Sequence, residues 1–543
     1  MFARVKKSGR YQYLQIVENR RDGAKTVQRV ICTVGRLDQL HDKGSIETLI
    51  RSLARFSEKA LLILSGKSDV SSSAKKIGPV LIFERLWKEL GIQKVIKNLL
   101  CERKFEFDVE RAIFLTVLHR LFVSGSDRSC EKWRRDYLIE GVEGLDLHHL
   151  YRAMTFLGEE LEDQKDRTPF SPRCTKDLIE EGIFFERRDL FTGLDLVFFD
   201  TTSLYFEGSG GTIAQKGHSK DHRPDLNQMV VGAVIDNNGK PVCCEMWPGN
   251  TTDVTTLIPE IDRIRSRFHI AQFCIVADRG MISADTLKKL DGRQIPYILG
   301  ARMRKVNEIK YDVLSHPGRY REVRPESHLS KDPAPLRVKE VLLKGKRYIV
   351  CVNSKQARKD AKDRKAIIDS LEGKIKTSPK SLIGNKGYRK YLRIERDSVS
   401  IDQDKIEWES RFDGKWVLLT NTNLAAEQIA LKYKELWQVE QVFRDVKSIL
   451  ETRPIYHQRD ENIRGHVFCS FLSLVLRKEL DRCLEKAGYT FEWADIKQDL
   501  KALQVIEVEE NGKSLVFRTE CIGTCGKVFQ AAGVAIPPTI REK

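Results

Sequence analysis

The chain holds 543 residues, 41% hydrophobic and 31% charged, with 94 Lys plus Arg against 77 Asp plus Glu and a net charge of +17. That length predicts two to four domains, and that balance excludes a disordered chain; apolar runs such as AIFLTVLH stop far short of a bilayer span, which excludes a membrane-embedded one. The positive excess draws polyanions to the surface, a demand that DNA, RNA or an acidic membrane would satisfy.

In chain order, YQYLQIVE and TVQRVICTVG alternate around Arg21, Asp22 and Gly23 and predict a hairpin over residues 10–35, within an N-terminal segment 1–40. The basic start develops no long apolar stretch, so no secretory leader is expected. From about 45 to 165, SIETLIRSLARFSEKALLIL, GPVLIFERLWKELGIQKVI and DVERAIFLTVLHRLFV repeat apolar residues at three-to-four spacing and predict helices, the last capped by Asp108. A shorter helix begins near Ser126 and carries Arg128, Lys132, Trp133, Arg134 and Arg135. Residues 41–185 read either as a DNA-binding region with Arg128 and Trp133 as contacts, or as a helical scaffold with a solvated charged face. His148 and His149 read as structural residues of a helix.

Near residue 193 the pattern changes to strands. LDLVFFD leads into a polar loop containing His218, Lys220, His222, Arg223 and Asp225, whose Gly and Pro content predicts phosphate contact rather than a zinc pair on a helix. MVVGAVID and KPVCCEMWPG flank the turn at Asn237, Asn238 and Gly239. A helix over DVTTLIPEIDRIRSRF follows, with Asn250, Thr252 and Asp253 in capping roles, then the buried strand FCIVAD, a helix over SADTLKKL and the strand IPYILGAR. Residues 190–302 thus predict a compact mixed sheet with helices, its first and fourth strands parallel neighbours. Residues 303–412 leave this pattern and predict a basic α+β insertion, whose charged helix presents Lys355, Arg358 and Lys359 to DNA phosphates. WVLLTNT returns to the sheet, and a helix through YKELWQVEQVFRDVKSIL completes a second catalytic segment over 413–460. Residues 461–543 predict a long buried helix, a short helix, a hairpin around Asn511–Gly512 and a loose tail. The 12 scattered cysteines fit a reducing cytoplasm; Cys521 and Cys525 have zinc-ligand spacing, but no second pair or His follows, which leaves free thiols as the plainer reading.

Asp200 and Asp278 each end an apolar strand pattern, so each aims an acid out of a buried sheet. With Glu440 from the later helix they offer three hard oxygen ligands. Adjacent carboxylates repel unless a cation neutralises them, so a divalent ion such as Mg²⁺ is the expected occupant, with Mn²⁺ as a substitute. Such a pair of ions performs phosphoryl transfer on a nucleic acid. Tyr433, Arg444 and Lys447 stand along the Glu440 helix as phosphate-binding neighbours, with Lys220 and Arg223 supplied by the polar loop. Glu435 is the rival third acid, about 140° around a regular helix from Glu440.

These residues resemble the DDE transposases of bacterial insertion sequences, in the subgroup whose RNase H-like domain carries a β-strand insertion. That family places a Tyr, an Arg, a Glu and a Lys along the third-acid helix; this chain has Tyr433, Leu436, Glu440 and Lys447 at those positions. Leu436 departs from the pattern, so a phosphate contact there falls to a neighbour such as Arg444 or Lys434. GHSKDHRPDLNQ, WPGNTTD, ADRGM and RPIYHQRDENIRGHVF are similar to recurring blocks of the subgroup. The resemblance implies an α/β RNase H-like fold, cleavage at terminal inverted repeats, strand transfer to target DNA and a homodimeric synaptic complex. It also implies a bacterial cytoplasmic protein, nucleoid-associated when bound to DNA. The alternatives are a catalytically silent or domesticated DNA-binding relative and an RNase H-like nuclease with another substrate.

Overall fold

Alternating residues at the start build three antiparallel strands, β1 (Phe2–Ser8), β2 (Tyr11–Asp22) and β3 (Lys25–Arg36), in the order β1-β2-β3. This is one strand more than the expected hairpin, because FARVKKS alternates as well as its neighbours do. The computed structural model describes residues 2–22, 25–42, 45–54, 73–169, 171–187, 196–270, 272–324, 335–377, 386–394, 399–510 and 513–542. It divides into two compact units, one of residues 1–85, 132–143 and 481–543, the other of 86–131 and 144–480.

In the first unit, the helix Leu37–Asp42 lies against the N-terminal sheet, with Leu40 beside Gly35. Of the predicted helical run from Ser45, the stretch Ser45–Ala54 is helical and the rest lies outside the described residues. The short strand β4 (Ser73–Lys76) pairs with a strand near the other end of the chain, described below.

The helix predicted over GPVLIFERLWKELGIQKVI is two helices, Gly78–Glu89 and Ile92–Leu100, because Gly91 takes the left-handed conformation at φ 74°. Asp108 caps Val109–Phe122 as expected, accepting from the Arg111 backbone N–H at 3.0 Å. The predicted helix near Ser126 runs Asp127–Trp133.

The second unit is organised around nine strands. β5 (Leu196–Tyr205), β6 (Gln228–Asp236), β7 (Pro241–Pro248), β8 (Cys274–Ala277) and β9 (Tyr297–Gly300) come from the predicted catalytic segment. β10 (Arg321–Val323), β11 (Leu336–Leu343) and β12 (Lys346–Asn353) come from the segment expected to leave it. A separate two-stranded ribbon, β13 (Leu392–Ile394) and β14 (Val399–Ile401), precedes β15 (Lys415–Thr420). The sheet order is β10-β11-β12-β15-β9-β8-β5-β6-β7. β5, β8 and β9 run parallel, and the other pairings are antiparallel, which makes the sheet mixed, as expected of an RNase H-like α/β fold.

The insertion therefore starts by extending the sheet rather than by leaving it. The apolar alternation of LRVKEVLL and KRYIVCVN buries one edge-to-edge continuation through β15. What departs from the sheet is the helix Ser354–Thr377, the β13–β14 ribbon and the helix Gln403–Ser410, which share a small core of Leu371, Tyr391 and Leu392.

The main core lies between the sheet and the helix Asp253–Phe268, through Val197, Phe199, Trp247, Leu257, Ile261 and Phe268. That helix is also fixed by buried charges: Arg267 pairs with Glu180 at 2.6 Å and Glu245 at 3.0 Å, and Arg263 with Glu245 at 2.9 Å. Glu180 comes from the helix Thr175–Arg187 and Glu245 from β7. Buried pairs of this kind fix one orientation more than they add net stability.

Back in the first unit, β16 (Gln504–Glu510), β17 (Lys513–Arg518) and β18 (Ile540–Glu542) form a sheet in the order β18-β17-β16-β4. The predicted hairpin is β16–β17, although its Asn511–Gly512 turn lies outside the described residues. Among the described residues, no helix is long and apolar enough to cross a membrane.

Candidate functional site

Asp200 is the fifth of ten residues in β5, not its last as expected. The strand runs on because Thr201–Tyr205 pair with Met229, Val230, Val231 and their neighbours on β6. The parallel ladder with β8 nevertheless ends at Phe199 opposite Ala277. Asp200 and Asp278 are thus the next residues along two adjacent parallel strands, whose spacing is about 4.8 Å.

The pair is electrostatically uneven. Burial raises the Asp200 carboxyl from 3.8 to about 6, and the charges of Asp278 and Asp253 push the same way. Lys220 and the Thr201 backbone N–H, which reaches Asp200 Oδ1 at 2.7 Å, oppose that rise. Asp278 Oδ1 accepts a hydrogen bond from the Tyr433 hydroxyl at 3.0 Å. Burial raises the Tyr433 phenol, the Asp278 charge raises it further, and it stays a donor. Gly300 on β9 leaves room for it: a Cβ there would lie 2.2 Å from the Tyr433 oxygen. Among the described residues, Oδ2 of Asp200 and Oδ2 of Asp278 receive no hydrogen bond. Two hard oxygens with open lone pairs, beside each other and partly buried, fit a divalent cation.

Asp253 belongs to this group, although the sequence suggested only a capping role for it. Its Oδ1 accepts from Thr201 Oγ1 at 2.6 Å, and its Oδ2 lies 3.1 Å from Lys220 Nζ. Thr252 occupies the N-cap position but makes no side-chain cap bond. Lys220 Nζ also donates to Thr201 O at 2.7 Å. Lys220 and Asp253 line a cleft of about 270 Å³ together with Ser203, His218, Asn250 and Thr251. The two loops that shape it touch closely, since a Cβ on Gly217 would fall 1.8 Å from the Gly249 carbonyl oxygen.

The helix expected to run unbroken through YKELWQVEQVFRDVKSIL is interrupted. Ala426–Lys434 ends at Glu435, Trp437–Arg444 follows, and Asp445–Ile449 winds as a π-turn. Leu436 sits buried at the break. Seven-residue spacing therefore does not define one face from Tyr433 to Lys447, as a regular helix would. Glu440 is exposed on the middle segment, which packs against β5 and β6. Glu435 is half-buried, and burial raises its carboxyl. Among the described residues, the carboxylates of Asp200, Asp278 and Glu440 do not all come within 4.8 Å of one another.

Lys447 is turned to the polar loop: its Nζ donates to Asp221 Oδ1 at 2.8 Å, and Arg453 reaches the same oxygen at 2.6 Å. Burial lowers the Lys447 ammonium, and the Asp221 charge opposes that shift. Asp221 and Arg453 lie in two of the recurring blocks, but local pattern does not show that they meet, since Lys447 and Asp221 are 226 positions apart. Arg223 pairs with Asp225 at 2.9 Å and stands over the Tyr205 ring at 5.6 Å. Arg444 is exposed and donates to Gln441 at 3.2 Å.

Lys355, Arg358 and Lys359 are exposed on the helix Ser354–Thr377. Arg128 is exposed, whereas the Trp133 ring stacks on Tyr137 at 3.9 Å. Two clusters of Asp and His side chains can offer a metal ion three ligands each: Asp127 with His457 and His466, and Asp146 with His148 and His149. Arg120 already donates to His466 Nδ1 at 2.9 Å in the first, and His149 Nδ1 accepts from the Asp146 backbone in the second. Burial raises the Cys525 thiol to about 12, and the charge of Cys521 adds to the rise.

Comparison with known proteins agrees with this organisation. Residues 3–67 match the N-terminal domain of the IS1634 family transposases, and residues 192–476 match the transposase DDE domain. No curated protein matches the chain. Among solved structures, a piggyBac transposase synaptic complex with hairpin DNA is similar with a TM-score of 0.38 and 9% identity, over 79% of this chain and 82% of that one. The DDE-domain match takes in every strand of the central sheet and more than half of the chain, and the chain belongs to the DDE transposases, metal-dependent enzymes of insertion-sequence DNA, with an N-terminal segment similar to that of the IS1634 family.

Proposed function

We propose that Asp200, Asp278 and Glu440 form the metal-binding acids of a transposase that cuts duplex DNA at terminal inverted repeats and joins the ends to target DNA. The observation that carries this reading is the placement of Asp200 and Asp278 on adjacent parallel strands, each with one carboxylate oxygen open. Divalent ions held there, Mg²⁺ or Mn²⁺, supply activation of the attacking oxygen and relief of charge on the leaving one. Tyr433 fixes the orientation of Asp278 through its hydroxyl. Lys220, Arg223, Arg444 and Lys447 bind the phosphates that flank the scissile bond. Lys355, Arg358 and Lys359 hold the duplex further out, and Arg128 and Trp133 add contacts from the helical region. Two copies of the chain pair the two ends of the element.

The test is cleavage of a labelled duplex that carries the DNA bordering this coding region, with MgCl₂ present or withheld. Nicking at the border of an inverted repeat, dependent on Mg²⁺ and absent on a scrambled duplex, is the expected result. Hydrolysis of RNA with no cleavage of the bordering DNA would replace the reading with a ribonuclease of the same fold.

A further inference from the structure

The N-terminal sheet has two chemically different faces, and strand register decides which residues share each. β1 and β2 pair Arg4 with Gln15, Lys6 with Tyr13 and Ser8 with Tyr11. β2 and β3 pair Tyr13 with Arg36, Gln15 with Thr33 and Asn19 with Gln28. Residues directly opposite across a ladder project to the same side. One face thus carries Arg4, Lys6 and Arg36, the amides Gln15, Asn19 and Gln28, and the hydroxyls of Tyr11 and Tyr13, set around the buried Val17 and its partner Val30. Side-chain contacts agree with this register: Arg4 donates to Gln28 at 2.7 Å, Gln15 donates to Thr33 at 3.1 Å, and Arg36 lies 3.9 Å over the Tyr11 ring. Glu18, which pairs with Arg29, and the apolar residues Val5, Leu14 and Ile16 belong to the opposite face, where Leu40 meets Gly35. Arg4, Tyr11, Tyr13 and Gln15 are partly exposed, and Lys6, Asn19, Gln28 and Thr33 are fully so.

We propose that this face is a DNA-reading surface that enters the major groove of the element's ends. Arg4 and Lys6 give it positive charge with no acid among the paired positions named, while Arg36 is held by Asp38 at 2.5 Å. The major groove, about 12 Å wide, admits a two-stranded ribbon, and two adjacent strands of this sheet lie about 4.8 Å apart. The side-chain types divide the work. Arg and Lys bind guanine edges or phosphates, Gln and Asn bind adenine edges, and Tyr, Ser and Thr hydroxyls reach phosphate oxygens. The matched N-terminal family domain at residues 3–67 contains the whole sheet, so the surface belongs to the part of the chain that precedes the DDE domain. This inference rests on DNA being the partner, and it moves sequence recognition from the helical region to the sheet.

The test uses the full chain and two fluorescent duplexes, one carrying the DNA bordering the coding region and one of the same composition scrambled. Binding is followed by anisotropy across a salt series, and folding by thermal melting. The double variant Arg4→Ala with Lys6→Ala weakens both duplexes and lowers the salt slope by about two, at about 0.9 per lost phosphate contact. The double variant Gln15→Ala with Gln28→Ala weakens the bordering duplex about tenfold or more and the scrambled one less than twofold. Val5→Ser, on the other face, changes neither. A benzophenone side chain at Tyr13 crosslinks to the bordering duplex, which keeps the question open to measurement if a double variant fails to fold.

Folded variants that bind both duplexes as the wild type does would overturn the proposal, as would a benzophenone that crosslinks only to a second copy of the chain. Neither result touches the cleavage assay at the acids. Loss of cleavage with the binding differences intact would instead remove the catalytic reading and leave this surface standing.

Discussion

Tyr433 donates its hydroxyl to Asp278 Oδ1 across 3.0 Å, and Gly300 is the residue that gives the phenol space to do so. The bond joins the helix Ala426–Lys434 to the end of β8, two elements separated by 155 positions at these residues. Tyr433→Phe removes a hydrogen bond to a charged acceptor, about 1.5–3 kcal/mol, and is expected to slow cleavage about tenfold or more. Gly300→Ala moves the phenol and produces a similar loss. The double variant is then no slower than the worse single one, because both act on one contact. Single-turnover cleavage rates check this; fully additive losses would mean that Gly300 and Tyr433 act on different things.

The raised Asp200 carboxyl has a pH signature. Its value in the fold, about 6 against an ordinary 3.8, favours the protonated form. The associated stability is complete below the ordinary value and is lost as pH rises through about 6. A divalent cation on the ionised carboxylate reverses that loss. Melting of the wild type relative to Asp200→Asn therefore falls between about pH 4 and 6 without metal and levels off above that, while stabilisation by MgCl₂ grows as the carboxylate ionises through about pH 6. An Mg²⁺ effect of equal size at pH 5 and pH 7 would separate Asp200 from the metal.

The third acid is tested by comparing two glutamates on either side of the helix break. Glu440→Gln is expected to abolish Mg²⁺-dependent cleavage, while Glu435→Gln leaves a measurable fraction. Glu435 is half-buried at the end of one helix, and Glu440 is exposed on the segment against β5 and β6. The reverse ranking, measured under single-turnover conditions, would transfer the role to Glu435.

Much of this architecture was legible in the sequence because it is local. Period-two and period-three-to-four patterns located β5, β6, β7, β8 and β9, and the Asp108 cap was as expected. What the sequence concealed is long-range. Arg263 and Arg267 look like a solvated helix face, yet they are buried against Glu245 and Glu180 from elements that only the fold brings near. Asp253 looks like a cap, and its partners Thr201 and Lys220 lie 52 and 33 positions away. The break at Glu435–Leu436 leaves no mark on hydrophobic periodicity, because Ile429 and Ala430 before it and Leu436 and Val439 after it are all buried. The sequence points to an α+β insertion over 303–412, but not to the pairing of β10, β11 and β12 into the same sheet through β15, nor to the helix Gln403–Ser410.

The charged helix Ser354–Thr377 gives a prediction independent of the acids. Replacing Lys355, Arg358 and Lys359 with Gln weakens the bordering and scrambled duplexes equally and lowers the salt slope by up to about three, since exposed cations bind phosphate without reading bases. A loss confined to the bordering duplex, seen by anisotropy, would make this helix a base reader.

The central claim is that Asp200 and Asp278 hold the metal. The most direct measurement is the Mn²⁺ stoichiometry and affinity of the full chain by electron paramagnetic resonance, alongside cleavage of the bordering duplex, for wild type, Asp200→Asn and Asp278→Asn. The account predicts that each variant loses Mn²⁺ binding about tenfold or more and loses cleavage, while binding of the duplex without metal is unchanged. Wild-type Mn²⁺ affinity together with near wild-type cleavage in either variant would contradict it.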